Sequence, residues 1–148
     1  MSYSEKISNK LNALLEKNYD AEKAYNYAAE NAQEPQLKAF FIERARERYD
    51  FGHALETEIR NFGQNPEKNS SLAGDAHRTW MNLKTSLSAN KDDAALEEAV
   101  RGEKVAKQEY EEVLKDPEIP PSTANILLKQ KNQIVAALNK LKGLELSN

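Results

Sequence analysis

Two glutamates lie in the apolar stripes of long helical segments, where a carboxylate is unusual. Glu22 and Glu103 each occur at helical spacing among apolar residues, and each is followed by a lysine. In helical bundles that hold two metal ions, two helices each contribute an inward glutamate and two others each contribute a Glu-x-x-His motif. Iron and manganese suit such carboxylate and imidazole ligands. Glu22 and Glu103 are therefore candidate metal ligands, with iron or manganese as the cofactor.

The two remaining long helical segments do not complete that ligand set. They carry Arg48-x-x-Phe51 and Gln130-x-x-Gln133 at the level where a Glu-x-x-His motif is needed. An arginine at this level places a fixed positive charge where a metal ion would have to sit. This arrangement favours a protein without a bound cofactor.

The same positions predict a buried layer in which opposite charges pair with one another. A buried carboxylate must be paired, protonated or bound to metal, and the planar arginine fork suits two carboxylates at once. The predicted members of this central polar layer are Glu22, Arg44, Arg48, Glu103 and Gln130. Three interpretations stay open: a charge-paired structural layer, a complete two-metal site, and a small-ligand pocket or single weak metal site that uses part of the layer.

Four long helices and one short helix are predicted from apolar periodicity and from the positions of proline and glycine. The Ser2-x-x-Glu5 pattern is a capping box that begins the first helix. That helix ends before Glu34-Pro35, the second runs from about Pro35 to Phe62, the short one from roughly Ala73 to Leu87, the third long one from near Asn90 to Asp116-Pro117, and the last from Pro120-Pro121 to near Gly143.

The connection over residues 63–90 is much longer than a turn. A helix of about 25 residues is about 37 Å long, and this connection suffices to cross that length, whereas antiparallel neighbours need only a short link. We therefore predict an all-α, ferritin-like four-helix bundle, with residues 1–148 as a single domain. The short helix is expected to cross the outside of the bundle, with His77 and Trp80 as docking contacts.

Three other side chains have a bland and a functional interpretation. His53 shares its helix face with charged residues, which predicts a surface residue, the alternative being a surface or intersubunit metal contact. Tyr25 and Tyr110 are predicted to pack in the core as large amphipathic side chains. Their alternative role is to donate hydrogen bonds to the inward carboxylates.

Several stretches resemble the signature of a bacterial family of four-helix-bundle proteins of unknown function in the ferritin-like superfamily. The main one is Ser71-Leu72-Ala73-Gly74-Asp75-Ala76-His77-Arg78-Thr79-Trp80, together with Glu22-Lys23, Glu47-Arg48 and Gly102-Glu103. The superfamily includes rubrerythrins and other di-iron carboxylate proteins. This chain lacks both Glu-x-x-His motifs and has Ala106 where rubrerythrins carry a further glutamate. The resemblance implies the fold and assigns no peroxidase, ferroxidase or oxygenase activity.

Composition narrows the remaining function classes. The chain has no cysteine, 30% charged residues and a formal net charge of −3; this argues against a disulfide framework and a nucleic-acid-binding face. No apolar run approaches the roughly 18 residues of a membrane span, and the N-terminus lacks a signal pattern. We expect a non-enzymatic cytoplasmic bundle with a stress-related or scaffolding role. The alternatives are a metal-binding or redox protein and a partner-binding module with a groove beside the crossover helix, its partner another protein or a second copy.

Overall fold

Five α-helices make up the described part of the chain. The computed structural model describes residues 2–67 and 75–147, with the side chains of residues 2–67 and 80–145. The helices are α1 (Tyr3–Asn31), α2 (Pro35–Asn61), α3 (Asp75–Ser88), α4 (Asp92–Leu114) and α5 (Pro121–Ser147). No strand occurs in these ranges, so the predicted all-α class is confirmed. No helix in these ranges combines the length and apolarity required to cross a membrane.

Local signals in the sequence set the helix ends. Ser2 is the N-cap of α1, and its hydroxyl accepts a hydrogen bond from the Glu5 backbone N–H at 3.1 Å, as the capping box predicts. Pro35 occupies the first turn of α2, where its missing N–H costs nothing. Gly63 follows α2 with φ of 77°, a left-handed conformation that glycine adopts readily. The predicted beginnings of α1 and α2 are confirmed.

Two residues, Asn90 and Asp92, shape the connection between α3 and α4. Asn90 has φ of 58°, and its N–H donates to the Leu87 carbonyl at 3.0 Å. Asp92 then accepts hydrogen bonds from the backbone N–H groups of Gln33 and Glu34, at 2.9 and 2.8 Å. This carboxylate therefore ties the beginning of α4 to the connection between α1 and α2.

Two hydrophobic clusters define the direction of each long helix. The first cluster joins residues 21–32 of α1, 37–45 of α2, 80–87 of α3, 95–100 of α4 and 137–141 of α5. The second cluster joins residues 7–15 of α1, 51–59 of α2, 106–110 of α4 and 127–134 of α5. Consequently α1 and α5 run one way, and α2 and α4 run the other way. Since α2 ends at the second cluster and α4 begins at the first, the chain crosses the full length of the protein between them.

Helix α3 lies on this crossing and packs against α1 and α4. Trp80, Leu83 and Leu87 turn into the first cluster, and all three are buried. Trp80 is therefore buried where α3 packs on the bundle. The predicted first residues of this helix, 73 and 74, and the side chain of His77 lie outside the described part of the structure.

Candidate functional site: a buried polar layer

A layer of polar side chains separates the two hydrophobic clusters. Asn18 lies between them on α1, Arg48 on α2 and Glu103 on α4, and Gln130 approaches the same level from α5. Each residue falls within the apolar stripe of its helix, so helical periodicity turns it inward. The exposed fraction is 0% for Glu103, 1% for Arg48 and 2% for Arg44. The layer is thus shielded from water.

Two arginines from α2 bind both carboxylate oxygens of Glu103. Arg44 donates from Nε and Nη2 to Oε2, at 3.2 and 2.9 Å, while Arg48 donates from Nη2 to Oε1. A second carboxylate completes the charge balance, because Arg44 Nη1 also lies 2.6 Å from Oε2 of Glu47. The layer therefore contains two positive and two negative side chains.

Uncharged side chains extend this pairing across the protein. Arg48 Nη1 donates to Oδ1 of Asn18 at 2.8 Å, and Asn18 Nδ2 donates to the Tyr110 hydroxyl oxygen at 2.9 Å. The Tyr110 hydroxyl donates in turn to Oε1 of Gln130 at 2.7 Å. Such connected networks strengthen each member in a low-dielectric interior, and this one links all four long helices.

Glu22 is not a member of the layer, and this part of the sequence prediction is wrong. Glu22 is partly exposed, and among the described residues no hydrogen bond or salt bridge joins it to Arg44 or Arg48. Asn18, one turn earlier on α1, takes the place predicted for Glu22. Partial burial raises the pKa of Glu22, and the nearby charges of His53 and Lys23 lower it in part. The structure does bring the other predicted members together. Arg44 and Arg48 contact Glu103 directly, and Gln130 is linked to Arg48 through Tyr110 and Asn18.

The electrostatics of the layer favour its charged form. Burial is the largest single influence on Arg44 and lowers its pKa, but Glu103, Tyr25 and Glu47 together outweigh burial, so the pKa is raised. Arg44 is therefore firmly protonated. Burial also raises the pKa of Tyr110 and of Tyr25, which keeps both phenols neutral.

Trp80 closes the layer on the side of α3. Its ring lies 5.7 Å from the guanidinium carbon of Arg48 and 5.1 Å from the ring of Tyr25, distances at which cation–π and aromatic contacts are favourable. Gly102, beside Glu103, provides the room: a Cβ there would lie 2.7 Å from Cη2 of Trp80. The indole therefore seats directly on the backbone of α4.

The layer does not fit a two-metal centre. Both oxygens of Glu103 are already bound by guanidinium groups, and Glu22 lies outside the layer. Within the described residues, no group of three or more His, Asp or Glu side chains is arranged to hold a metal ion. His53 is exposed, and its ring lies 4.3 Å from the ring of Tyr49, consistent with the surface interpretation.

Four residues make contacts in the site that the sequence did not predict. Asn18 lies in the apolar stripe of α1, where a polar residue indicates a buried hydrogen-bonded position. The sequence prediction names Glu22, one turn further along α1, in its place. Tyr110 packs in the core as predicted, and its hydroxyl in addition joins Asn18 to Gln130. Glu47 lies off the stripe of α2, and Gly102 carries no side chain, so neither gave a signal for its contact.

The fold and site define an all-helical protein with a charge-paired layer at mid-height. The chain belongs to the family described as Domain of unknown function (DUF2383), whose profile matches residues 6–116. The match includes the layer residues of α1, α2 and α4 and ends before α5. No curated protein matches the chain.

Proposed function

We propose that this protein is a non-enzymatic, cytoplasmic, ferritin-like four-helix bundle with a scaffolding role, in which paired charges occupy the position of a di-metal centre. The helix directions support the ferritin-like assignment, since two antiparallel hairpins are joined by a crossing of the full length. The position of the layer supports the proposal that paired charges occupy the place of a di-metal centre, because each long helix contributes to the layer near its middle.

One observation carries the proposal: both oxygens of the fully buried Glu103 are bound by Arg44 and Arg48. A metal ion could bind this carboxylate only by displacing a guanidinium group, which would then be a buried charge without its partner. Such a broken pair costs about 3–5 kcal/mol. The arginines therefore compete directly with any cation.

A charge-paired layer suits a scaffold because it constrains how the helices fit together. Hydrophobic contacts tolerate a sliding of one helix along another, whereas Glu103 meets both arginines in a single register of α2 and α4. Buried polar groups specify register in some helical assemblies. The role proposed here is to hold one rigid arrangement of helices, in a stress-related or constitutive setting.

Metal analysis tests this proposal. The protein is purified without chelator, its iron, manganese and zinc are measured, and oxidation of added ferrous iron is followed in air. We expect substoichiometric metal, no acceleration of oxidation, and the same melting temperature with and without EDTA. The Glu103→Gln variant is the matched control, because metal bound at the layer would be lost in it. Stoichiometric iron or manganese that disappears in Glu103→Gln would overturn the proposal in favour of a redox protein.

A second candidate, a partner-binding helical module, is favoured by an open groove. The groove predicted from the sequence lay beside the crossover helix. The clefts observed between α2 and α5 lie on the opposite side of the protein, and their geometry carries the inference that follows.

A further inference from the structure

The two sides of the protein are closed differently. Helix α3 covers the side formed by α1 and α4. Between α2 and α5 there are two clefts of about 320 and about 250 Å³, and both are lined by Glu47 and Gln133, so they form one continuous groove. None of the described elements covers it: after α2, the Glu67 N–H donates to Oδ1 of Asn12 on α1 at 2.8 Å, which places this part of the chain on the opposite side.

The walls of this groove carry opposite charges above an apolar floor. The α2 wall has Glu43, Glu47 and Asp50, and the α5 wall has Lys129 and Lys140. The floor includes the apolar side chains of Phe40, Phe51, Ile126 and Ala137. One charge contact already spans the groove, with Lys140 Nζ 3.4 Å from Oε2 of Glu43.

We propose that this groove is the interface of a homodimer, in which a two-fold axis parallel to the helices places α2 of each copy over α5 of the other. A rotation about that axis preserves height along the helices. Asp50 and Lys129 line the same cleft, as do Glu43 and Lys140, so each acid of one copy meets a lysine of the other at its own level. An axis perpendicular to the helices would instead oppose acid to acid. This inference deepens the partner-binding function and is independent of the metal-free state of the layer.

The size of the face supports the same occupant. Helices of 27 residues are about 40 Å long, and two such helices side by side are about 20 Å wide. The face therefore offers about 800 Å² per copy, which is the size of a standard stable interface.

Charge reversal tests the dimer. One variant combines Glu43→Lys with Asp50→Lys, and a second combines Lys129→Glu with Lys140→Glu. All four positions are exposed, and circular dichroism checks that both variants fold. By sedimentation velocity, we expect a dimer for the original protein. Each variant alone should be a monomer, because its reversed residues repel the charges on the facing wall of the second copy, and the two variants mixed should form a 1:1 dimer.

A matched control reverses two exposed charges elsewhere. Glu30→Lys with Glu97→Lys makes the same change in net charge as the first variant, at exposed positions of α1 and α4, and is expected to remain a dimer. A monomeric original protein, dimers that persist in both groove variants, or loss of the dimer in the control would each overturn the inference. Sedimentation reports the dimer and metal analysis reports the layer, so failure of one proposal is distinguishable from failure of the other.

Discussion

The polar layer lies between two grooves of the bundle, one between α1 and α4 and the other between α2 and α5. The two grooves have different neighbours. On the first side, α3 inserts Trp80 against Gly102 and over Arg48. On the second side, Arg44, Glu47 and Gln130 approach open clefts. Arg44 and Arg48 pair with the buried charge of Glu103. Among the described elements, only the first side is covered by a further helix, α3.

The comparison shows how an uneven bundle keeps a charged interior. Glu103 is completely buried, and its partners come from α2, which borders the open groove. The aromatic cover comes from the crossover, which borders the closed groove. We expect substitutions at the paired charges to cost most, those at the aromatic cover less, and those on the open side least.

The largest effect is expected from Arg48→Met. The substitution removes the donor to Oε1 of Glu103 and the donor to Asn18, leaving a buried carboxylate with only Arg44. The expected loss is about 3–5 kcal/mol in the free energy of unfolding, measured by urea denaturation. Arg46→Met, at an exposed position of the same helix, should change it by less than about 0.5 kcal/mol. An unchanged midpoint for Arg48→Met would show that the layer is not charge-paired.

A second substitution separates charge from packing in the same layer. Adding Glu103→Gln to Arg48→Met removes the buried negative charge that lost its partner, so part of the lost stability should return. The double variant is measured in the same urea titration. If it is less stable than Arg48→Met alone, the cost of the arginine change lies in packing and not in an unpaired carboxylate.

A smaller loss of stability is expected from Gly102→Ala, because the added methyl group occupies space that the Trp80 indole fills. The added Cβ would lie 2.7 Å from Trp80, and such overpacking costs about 1–3 kcal/mol. Because the chain has one tryptophan, a red shift of its fluorescence reports the displaced ring. Gly143→Ala is the control: its Cβ would meet nothing within 4 Å, and alanine favours a helix over glycine by up to about 1 kcal/mol. If Gly102→Ala and Gly143→Ala change the stability and the fluorescence equally, the loss does not arise from a clash with Trp80.

On the open side, Gln130→Leu should cost about 1 kcal/mol, the typical net value of a buried hydrogen bond. The change removes the acceptor of the Tyr110 hydroxyl while leaving the charged pairs intact. Thermal unfolding compares it with Gln133→Leu, one turn further along α5 at an exposed position. If both variants melt like the original protein, the network ends at Tyr110 and does not include α5.

The smallest effect is expected away from both grooves, at Asp116. The hydrogen bond from Lys10 lowers the pKa of this carboxyl below its usual value of 3.8, with a further contribution from the Glu118 N–H. A lowered pKa in the folded state stabilises the protein at neutral pH, and this contribution disappears as the pH falls through the folded pKa, below 3.8. Asp116→Asn should therefore lower the melting temperature slightly at neutral pH. The difference should vanish in strong acid, and Lys10→Met should reproduce it.

Much of the fold was predictable because its signals are local. The capping box at Ser2, Pro35 in the first turn of α2 and Gly63 after it act on neighbouring backbone groups, so they work wherever the helix lies. The length of the connection before α4 predicted the crossing, since a short turn cannot reach the other end. Chemical type also predicted part of the layer: four of the five residues named from the sequence belong to it, because a polar or charged residue in an apolar stripe needs a buried partner.

The sequence by itself determined the helices, their inward faces and the need for paired charge at mid-height. Only the tertiary structure decided that Asn18 and not Glu22 faces the arginines, because residues four positions apart differ by one turn in height and by about 40° in direction. Helix packing alone selects between such neighbours. The tertiary structure likewise decided that α3 covers α1 and α4 and leaves α2 and α5 open, since the covering depends on the missing side chain of Gly102, 22 residues beyond Trp80 in the chain.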